Sequence, residues 1–175
     1  MWIPSGLAQA PCCDVNSLFR RGSHEVWCEH VVGGMKIAFG TDEQASLAQV
    51  VTEELERQGH EVIVVARGAQ WPEVGRAVGQ AVADGVADAG VVCCWTGTGV
   101  SIAANKVRGV RAALCADAET ARGARRWNDA NVLALSLRLT SAEVAREILA
   151  QFLGAQPDPD EAVQIAELAR FDDGR

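Results

Sequence analysis

A short apolar run that breaks into a glycine-rich turn carries the residues best suited to chemistry in this chain. The run Val91–Cys94 is typical of a buried parallel strand, and Thr96-Gly97-Thr98-Gly99 follows almost directly. A helix predicted over 100–106 then begins with main-chain N–H groups that have no intrahelical partner, and the helix dipole adds to their attraction for negative charge. The stretch therefore predicts an anion cradle at a strand end.

Cys94 is the last residue of that predicted strand and is aimed at the cradle. The dipole favours a thiolate, so a cysteine at this position ionises more readily than a free one. The pattern also fits a structural interpretation, in which Cys94 is a small buried apolar residue like its neighbour Cys93. We expect Cys94 to act as a base or nucleophile beside an oxyanion site.

The block around Cys94 resembles the signature of the ribose-5-phosphate isomerase B and galactose-6-phosphate isomerase family. In that family Cys-Gly-Thr-Gly and a short variable stretch precede Ser-Ile-Ala-Ala-Asn-Lys. Here Cys94-Trp95-Thr96-Gly97 and then Thr98 to Val100 precede Ser101 to Lys106. The likeness continues through residues 107–115 and 128–135 and extends over residues 35 to about 153.

The resemblance implies an aldose–ketose isomerase that acts on a small sugar phosphate, either ribose-5-phosphate-like or a tetrose phosphate. Cys94 matches the residue that moves a proton between C1 and C2 through an enediolate, and the N–H groups from Trp95 to Gly99 would receive the enediolate charge. The resemblance implies no cofactor and no metal. It also implies a site at the interface of a homodimer, alone or within a dimer of dimers.

Two carboxylates adjoin the expected site. Asp42 ends the first strand and matches the aspartate of the family's G-x-D-H motif, which helps to bind the sugar and open its ring. Glu43 stands where that motif has its histidine. Two adjacent carboxylates in a semi-enclosed site disfavour double ionisation, so one stays protonated and serves as an acid. Alternatively, Glu43 is a solvated residue in the first turn of a helix.

Trp127 stands where the family has the histidine that opens the furanose ring, and tryptophan does not titrate. Ring opening then falls to Asp42, Glu43 or water, or the substrate is already open-chain, as a tetrose phosphate is. Asn128 is retained and matches a residue that binds a sugar hydroxyl.

The phosphate-binding residues also depart from the family. Arg138 matches the arginine that contacts phosphate after the fifth strand, but Glu161 and Ile165 stand where two further arginines belong. Two lost guanidiniums and a gained carboxylate weaken the binding of a dianion. Three arginines of a predicted helix either rebuild this clamp or form a solvated face: Arg122, Arg125 and Arg126.

Tryptophans predict an aromatic wall on which a sugar stacks, although ordinary aromatic packing fits them equally well. Trp71 and Trp95 follow the second and third strands, whereas Trp127 precedes the fifth and joins a site only across a subunit interface. The predicted catalytic residues are Cys94, Asp42, Glu43 and Thr96. The predicted substrate-binding residues are Trp71, Trp95, Gly97, Thr98, Gly99, Trp127, Asn128 and Arg138.

The elements that position these residues alternate strand and helix from Met35 onward. This order predicts a Rossmann-like three-layer α/β/α sandwich with a five-stranded parallel sheet, whose sites lie at the carboxyl ends of the strands. Capping boxes at Thr41 with Gln44 and at Thr140 with Glu143 predict two helix starts. A final amphipathic helix over 159–171 is predicted to pack on a neighbouring subunit. The predicted strands cover 35–39, 61–66, 91–94, 111–114 and 132–135.

Length and charge narrow the function classes. The 175 residues are enough for one core, and the net charge of −7 argues against a nucleic-acid partner. No apolar run approaches the roughly 20 residues that span a bilayer. Three of the six cysteines lie at predicted strand ends, which favours reduced thiols and a cytoplasmic location.

Residues 1–34 do not resemble the family, which begins at Met35, and they predict a poorly ordered leader before an isomerase domain over 35–175. The cysteines and histidines of this leader fit no standard zinc-ligand spacing: Cys12, Cys13, Cys28, His24 and His30.

Two other functions fit parts of the pattern. Gly97-x-Gly99 opens a helix after a strand, and Asp117 lies where a ribose-binding acid of a nucleotide-binding domain would, but Ile102 occupies the third glycine position. The replaced histidines and arginines also fit a non-catalytic or altered-substrate relative that binds a sugar or a partner.

Overall fold

The computed structural model describes residues 34–173, so the predicted leader and its candidate zinc ligands lie outside the described residues, and that domain division stays a prediction. Five strands alternate with helices along this range. The strands are β1 (Lys36–Thr41), β2 (Glu61–Arg67), β3 (Ala89–Cys94), β4 (Ala112–Leu114) and β5 (Val132–Ser136). The helices are α1 (Ser46–Arg57), α2 (Trp71–Ala83), α3 (Thr98–Ala104), α4 (Ala118–Asn128), α5 (Ala142–Gly154) and α6 (Ala162–Asp173).

The strands form one parallel sheet in the order β2-β1-β3-β5-β4. Helices α1, α4 and α5 cover one face, where residues such as Phe39, Leu55 and Phe152 are buried together. Helices α2 and α3 cover the other face around Val78 and Val100. The predicted three-layer sandwich with five parallel strands is therefore confirmed.

Both predicted capping boxes are wrong. Helix α1 begins at Ser46 after Ala45, which offers no side-chain cap, while the Thr41 hydroxyl donates to the Glu43 carbonyl at 2.8 Å. That turn keeps residues 42–45 out of the helix, so Glu43 does not lie in a first helical turn. Helix α5 is capped one residue later than predicted, by Ser141, whose Oγ accepts the N–H of Val144 at 3.3 Å.

Helix α3 is held close to α2 by a glycine. A Cβ on Gly75 would lie 2.6 Å from the carbonyl oxygen of Val100, so only glycine permits this approach of the two helices. Because α3 starts at the glycine-rich turn, its contact with α2 fixes the position of that turn relative to the sheet.

The chain beyond α5 differs from the predicted helix over 159–171. Pro159–Glu161 form a 3₁₀ turn, and α6 begins at Ala162. This helix leaves much apolar surface uncovered, since Val163 is 75% exposed and Phe171 is 60% exposed. No helix within residues 34–173 combines the length and apolar character needed to cross a bilayer.

Candidate active site

The carboxyl ends of β1 and β3 form a crevice at the point where the chain changes sides of the sheet. After β1 the chain enters α1 on one face, and after β3 it enters α3 on the other. Open α/β sheets bind ligands at such switch points. The main-chain N–H of Asp42 donates to the Cys93 carbonyl at 3.3 Å, so the structure brings Asp42 next to the end of β3 and Cys94.

Cys93 and Cys94 lie on opposite sides of the sheet, because successive strand residues point to opposite faces. Cys93 is completely buried, and this burial, with the nearby charges of Cys94 and Asp42, raises the pKa of its thiol far above the ordinary value. Cys94 retains 5% of its surface at the strand end. Of the two thiols, Cys94 is therefore the one that keeps some exposed surface.

The turn after Cys94 depends on Gly97, which has a positive φ of 76°. A Cβ at this position would lie 2.5 Å from Leu114 Cδ1 and 3.0 Å from the Leu135 carbonyl oxygen. The Gly97 N–H donates back to the Cys94 carbonyl at 3.2 Å, so it is not available to a ligand. The anion cradle predicted from the N–H groups of Trp95 to Gly99 therefore has fewer available donors than expected.

Further donors lie in the first turn of α3. The first N–H groups of a helix have no intrahelical acceptor, and Gly97 caps α3 without a side chain. The Thr96 and Thr98 hydroxyl oxygens lie 2.7 Å apart in exposed positions. Their single shared hydrogen bond leaves the other hydroxyl proton free to reach a ligand.

Asp42 has an unusual environment for a carboxylate. Its Oδ1 is buried and has no hydrogen-bond partner among the described residues. Burial, and secondarily the charge of Glu43, raises the pKa of Asp42 above its usual value. A carboxyl group of this kind carries a proton at higher pH than a solvated one and suits an acid role. Glu43 itself is exposed.

Ser136 was missed by the sequence analysis. It ends β5 in register with Cys94, and its Oγ donates to the Trp95 carbonyl at 3.0 Å. A polar residue that directly follows the apolar run Val132–Leu135 is the signal that points to it.

Two of the three tryptophans predicted to line the site lie beside the turn. Trp71 is the first residue of α2, rather than part of the preceding loop, and a Cβ on Gly99 would lie 2.9 Å from its ring. Trp95 is 54% exposed. Trp127 and Asn128 end α4 at the opposite edge of the sheet, where the Trp127 ring packs against Gly123 of its own helix. Within one chain they are therefore remote from Cys94.

Arg138 follows β5 and is exposed, and its main-chain N–H donates to the Trp95 carbonyl at 3.0 Å, which places it beside the turn. The arginines of α4 do not rebuild a phosphate clamp within one chain, because each is engaged by a carboxylate. The pairs are Arg122 with Glu119, Arg125 with Asp129 and Arg126 with Asp158.

Two clefts lie at opposite edges of the sheet. One, of about 340 Å³, lies between the start of β4 and α6 and includes Asn128 and Leu168. The other, of about 420 Å³, lies beside the start of α1 and includes Thr41 and Arg67. Cys94 lines neither of these two clefts.

The part of the chain that the structure describes contains no group of three or more histidine, cysteine, aspartate or glutamate side chains placed to hold a metal ion. Asp117, the candidate ribose-binding acid of the nucleotide interpretation, caps α4 instead. Its carboxylate accepts the Thr120 N–H at 2.8 Å and the Thr120 hydroxyl at 2.7 Å.

Comparisons with known proteins agree on one family. The family model described as ribose/galactose isomerase matches residues 37–168. The galactose-6-phosphate isomerase subunit LacB of Clostridium acetobutylicum is 35% identical over 159 residues, which are 86% of this chain and 85% of that protein. A D-erythrulose-4-phosphate isomerase of Pectobacterium atrosepticum is 36% identical, with 70% of this chain and 84% of that protein aligned. The structure of Clostridium thermocellum ribose-5-phosphate isomerase B superposes with a TM-score of 0.75 at 34% identity, covering 80% of this chain and 99% of that one.

Proposed function

The chain belongs to the ribose/galactose isomerase family, and we propose that it interconverts the aldose and ketose forms of a small sugar phosphate with Cys94 as the base. It is an intramolecular oxidoreductase, since aldose–ketose isomerisation moves hydrogen between two carbons of one molecule. The observation that carries the proposed site is the position of Cys94, which ends β3 directly before an uncapped helix start, while the main-chain N–H of Asp42 bonds to the carbonyl of the preceding residue, Cys93.

The reaction follows from this arrangement. The Cys94 thiolate removes the C2 proton of the open-chain aldose, and the electron pair moves to the carbonyl oxygen to give an enediolate. Main-chain N–H groups of Thr98 and Gly99, with the Thr96–Thr98 hydroxyl pair, receive the developing charge. Protonated Asp42 supplies a proton to O1 and takes one from O2, and Cys94 returns its proton to C1, which completes the ketose.

The substrate we propose is an open-chain tetrose phosphate. His60 is the one histidine among residues 34–173, and it lies before β2 at the opposite edge, where its Nδ1 accepts the Met35 N–H at 3.2 Å. The described site therefore lacks an imidazole for opening a sugar ring. A tetrose 4-phosphate needs none, because its O4 is esterified and cannot close a five-membered ring. The Pectobacterium relative carries a name of this substrate class.

Phosphate binding falls to Arg138 in this proposal. Its side chain is exposed and forms no ion pair with any of residues 34–173. The family positions held here by Glu161 and Ile165 supply no guanidinium, so we expect a weaker grip on phosphate and a larger share of binding from Trp71 and Trp95.

A second copy of the chain completes the site in our proposal. Trp127 and Asn128 lie at the edge opposite to Cys94, so they reach a thiol only across an interface. Apolar side chains left exposed in the described chain provide surface for such a contact, among them Ile102, Leu139, Val163 and Phe171. We propose a homodimer, alone or within a dimer of dimers.

We also propose a cytoplasmic location. Cys93, Cys94 and Cys115 are free and buried, the state that a reducing compartment maintains.

The experiment that tests this function compares wild-type protein with D-erythrose 4-phosphate, D-ribose 5-phosphate and unphosphorylated D-ribose. We expect kcat/KM for the tetrose phosphate to exceed that for the pentose phosphate about tenfold or more, because only the pentose must be ring-opened. The reverse order would contradict the substrate proposal. Turnover of no sugar by a dimeric preparation would favour the non-catalytic alternative, and a monomer in sedimentation would overturn the shared site.

A further inference from the structure

Ser136 links the two connections that carry the proposed base and the proposed phosphate ligand. Ser136 is only 5% exposed, and its hydroxyl takes part in two hydrogen bonds. The Oγ donates to the Trp95 carbonyl at 3.0 Å and accepts the N–H of Leu139 at 3.2 Å. One hydroxyl thus joins the chain after β3 to the chain after β5.

Main-chain hydrogen bonds run alongside this contact. The Leu137 N–H donates to the Cys94 carbonyl at 3.0 Å, and the Arg138 N–H donates to the Trp95 carbonyl at 3.0 Å. The Trp95 carbonyl oxygen therefore receives two donors, one from the main chain and one from Ser136. Removal of the hydroxyl leaves this oxygen with a single donor and leaves the Leu139 N–H without its acceptor.

The direction of the Trp95 carbonyl decides the direction of the next amide. A trans peptide holds its C=O and N–H on opposite sides, so a Trp95 carbonyl fixed toward β5 fixes the Thr96 N–H away from β5. A carbonyl oxygen that turned toward a developing enediolate would repel it. Restraint of this one peptide plane thus keeps negative dipole ends out of the cradle.

We propose that Ser136 is a positioning residue of the isomerase. Its hydroxyl orients the Trp95–Thr96 peptide beside Cys94 and fixes the spacing between this peptide and the connection that carries Arg138. The effect on turnover rests on the proposed function, whereas the effect on the Cys94 thiol does not.

The test uses Ser136→Ala with Ser136→Thr as the variant that keeps the hydroxyl. Ser141→Ala is the matched control, because Ser141 lies in the same connection and caps α5 without touching the turn. With D-erythrose 4-phosphate, we expect Ser136→Ala to lower kcat about tenfold with KM changed less than about twofold, since positioning acts on the transition state. Ser136→Thr should recover most of kcat, and Ser141→Ala should lower the melting temperature without changing kcat.

A second readout needs no substrate. Iodoacetamide labelling of Cys94, followed by mass spectrometry of the tryptic peptide that ends at Lys106, reports how firmly the turn is held. We expect the labelling rate to rise about threefold or more in Ser136→Ala, because a less restrained turn opens more often. The rate should stay at the wild-type value in Ser136→Thr and Ser141→Ala.

The outcomes separate the two proposals. If wild type turns over neither sugar phosphate, the proposed function fails while the labelling rates still decide the role of Ser136. Equal labelling rates in all variants, or a normal kcat in a destabilised Ser136→Ala protein, would overturn the positioning role. If Ser136→Ala does not fold, Ser136→Gly, which also removes the hydroxyl, takes its place in both assays.

Discussion

The connections after β3 and β4 both lead from a cysteine into a helix, but they differ in whether a carboxylate caps that helix. Cys94 is the last residue of β3, Cys115 directly follows β4, and a helix begins within a few residues of each. The N-terminus of helix α4 is capped by the Asp117 carboxylate, which accepts the Thr120 N–H at 2.8 Å. Helix α3 begins after Gly97 with no side-chain cap. A helix start that holds its own anion has no place for another, so of these two helix starts α3 is the one without a competing carboxylate.

The two cysteines differ accordingly. Cys115 is 1% exposed, and burial, with a smaller contribution from the charge of Asp117, raises its pKa to about 11. It stays a neutral thiol at physiological pH. Cys94 lies beside an uncapped helix start, next to Asp42. The start of the following helix therefore distinguishes the two cysteines, since the helix after Cys94 lacks a side-chain cap and the helix after Cys115 has one.

Removal of each thiol in turn gives the largest expected contrast. We expect Cys94→Ala to lower kcat about 10³-fold, within the range that a positioned base contributes, because no other group replaces it at C2. Cys115→Ala should leave kcat within about twofold, since Cys115 serves packing. Steady-state turnover of D-erythrose 4-phosphate measures both. Similar losses in the two variants would abolish the distinction between the connections.

A carboxylate placed at the open helix start should make α3 resemble α4. We expect Thr98→Asp to lower kcat/KM about 10²-fold, because the new charge repels both the phosphate sugar and the enediolate. Thr98→Asn, which has the same shape without the charge, is the control and should lose much less. Equal effects of Asp and Asn would mean that the start of α3 receives no negative charge.

The raised pKa of Asp42 predicts that this residue lowers the stability of the protein at neutral pH although it supports activity. A carboxyl group whose pKa is higher in the folded state than in the unfolded state binds more protons when folded, so its contribution to stability falls as pH rises from about 3.9 through the folded-state pKa. We expect Asp42→Asn to be more stable than wild type at pH 7 and to show a smaller loss of stability between pH 4 and pH 7.

Urea unfolding across this pH range measures that stability, and turnover of D-erythrose 4-phosphate should fall in the same variant. A variant that is less stable than wild type at pH 7 would show that the Asp42 carboxylate is satisfied in the folded protein.

Loss of the cap on α4 should have the smallest effect. Hydrogen bonds from Thr120 hold the pKa of Asp117 below its usual value, so this carboxylate stabilises the folded state above its unfolded pKa and loses that effect as pH falls through its folded pKa. We expect Asp117→Ala to lower the melting temperature by a few degrees at pH 7 and to leave kcat unchanged. A large loss of kcat would show that the α4 start takes part in the reaction.

The sequence predicted the sheet well because its strands are short, almost wholly apolar runs between clear helical patterns. Val91–Cys94 and Val132–Leu135 lie within the observed β3 and β5, and the glycine turn follows β3 as expected. The helix starts were missed where a local hydrogen bond competed with the capping pattern. Thr41 bonds to the Glu43 carbonyl rather than capping α1, which displaced the predicted start by several residues.

The candidate site was harder to predict because its details depend on contacts between connections. No local pattern shows that the Gly97 N–H returns to the Cys94 carbonyl, or that Ser136 reaches Trp95 from another strand. The ion pair of Arg126 likewise depends on a carboxylate far away in the sequence, that of Asp158.

Solvent-deuterium exchange tests the role of Cys94 most directly. Protein, D-erythrose 4-phosphate and D₂O are combined, and proton NMR follows deuterium incorporation at C1 of the ketose and at C2 of the recovered aldose, since the thiol proton exchanges with solvent. We expect incorporation by wild type and Cys115→Ala, and none above the background rate by Cys94→Ala. Incorporation by Cys94→Ala at the wild-type rate would contradict this expectation, because the proton would then be moved by another group.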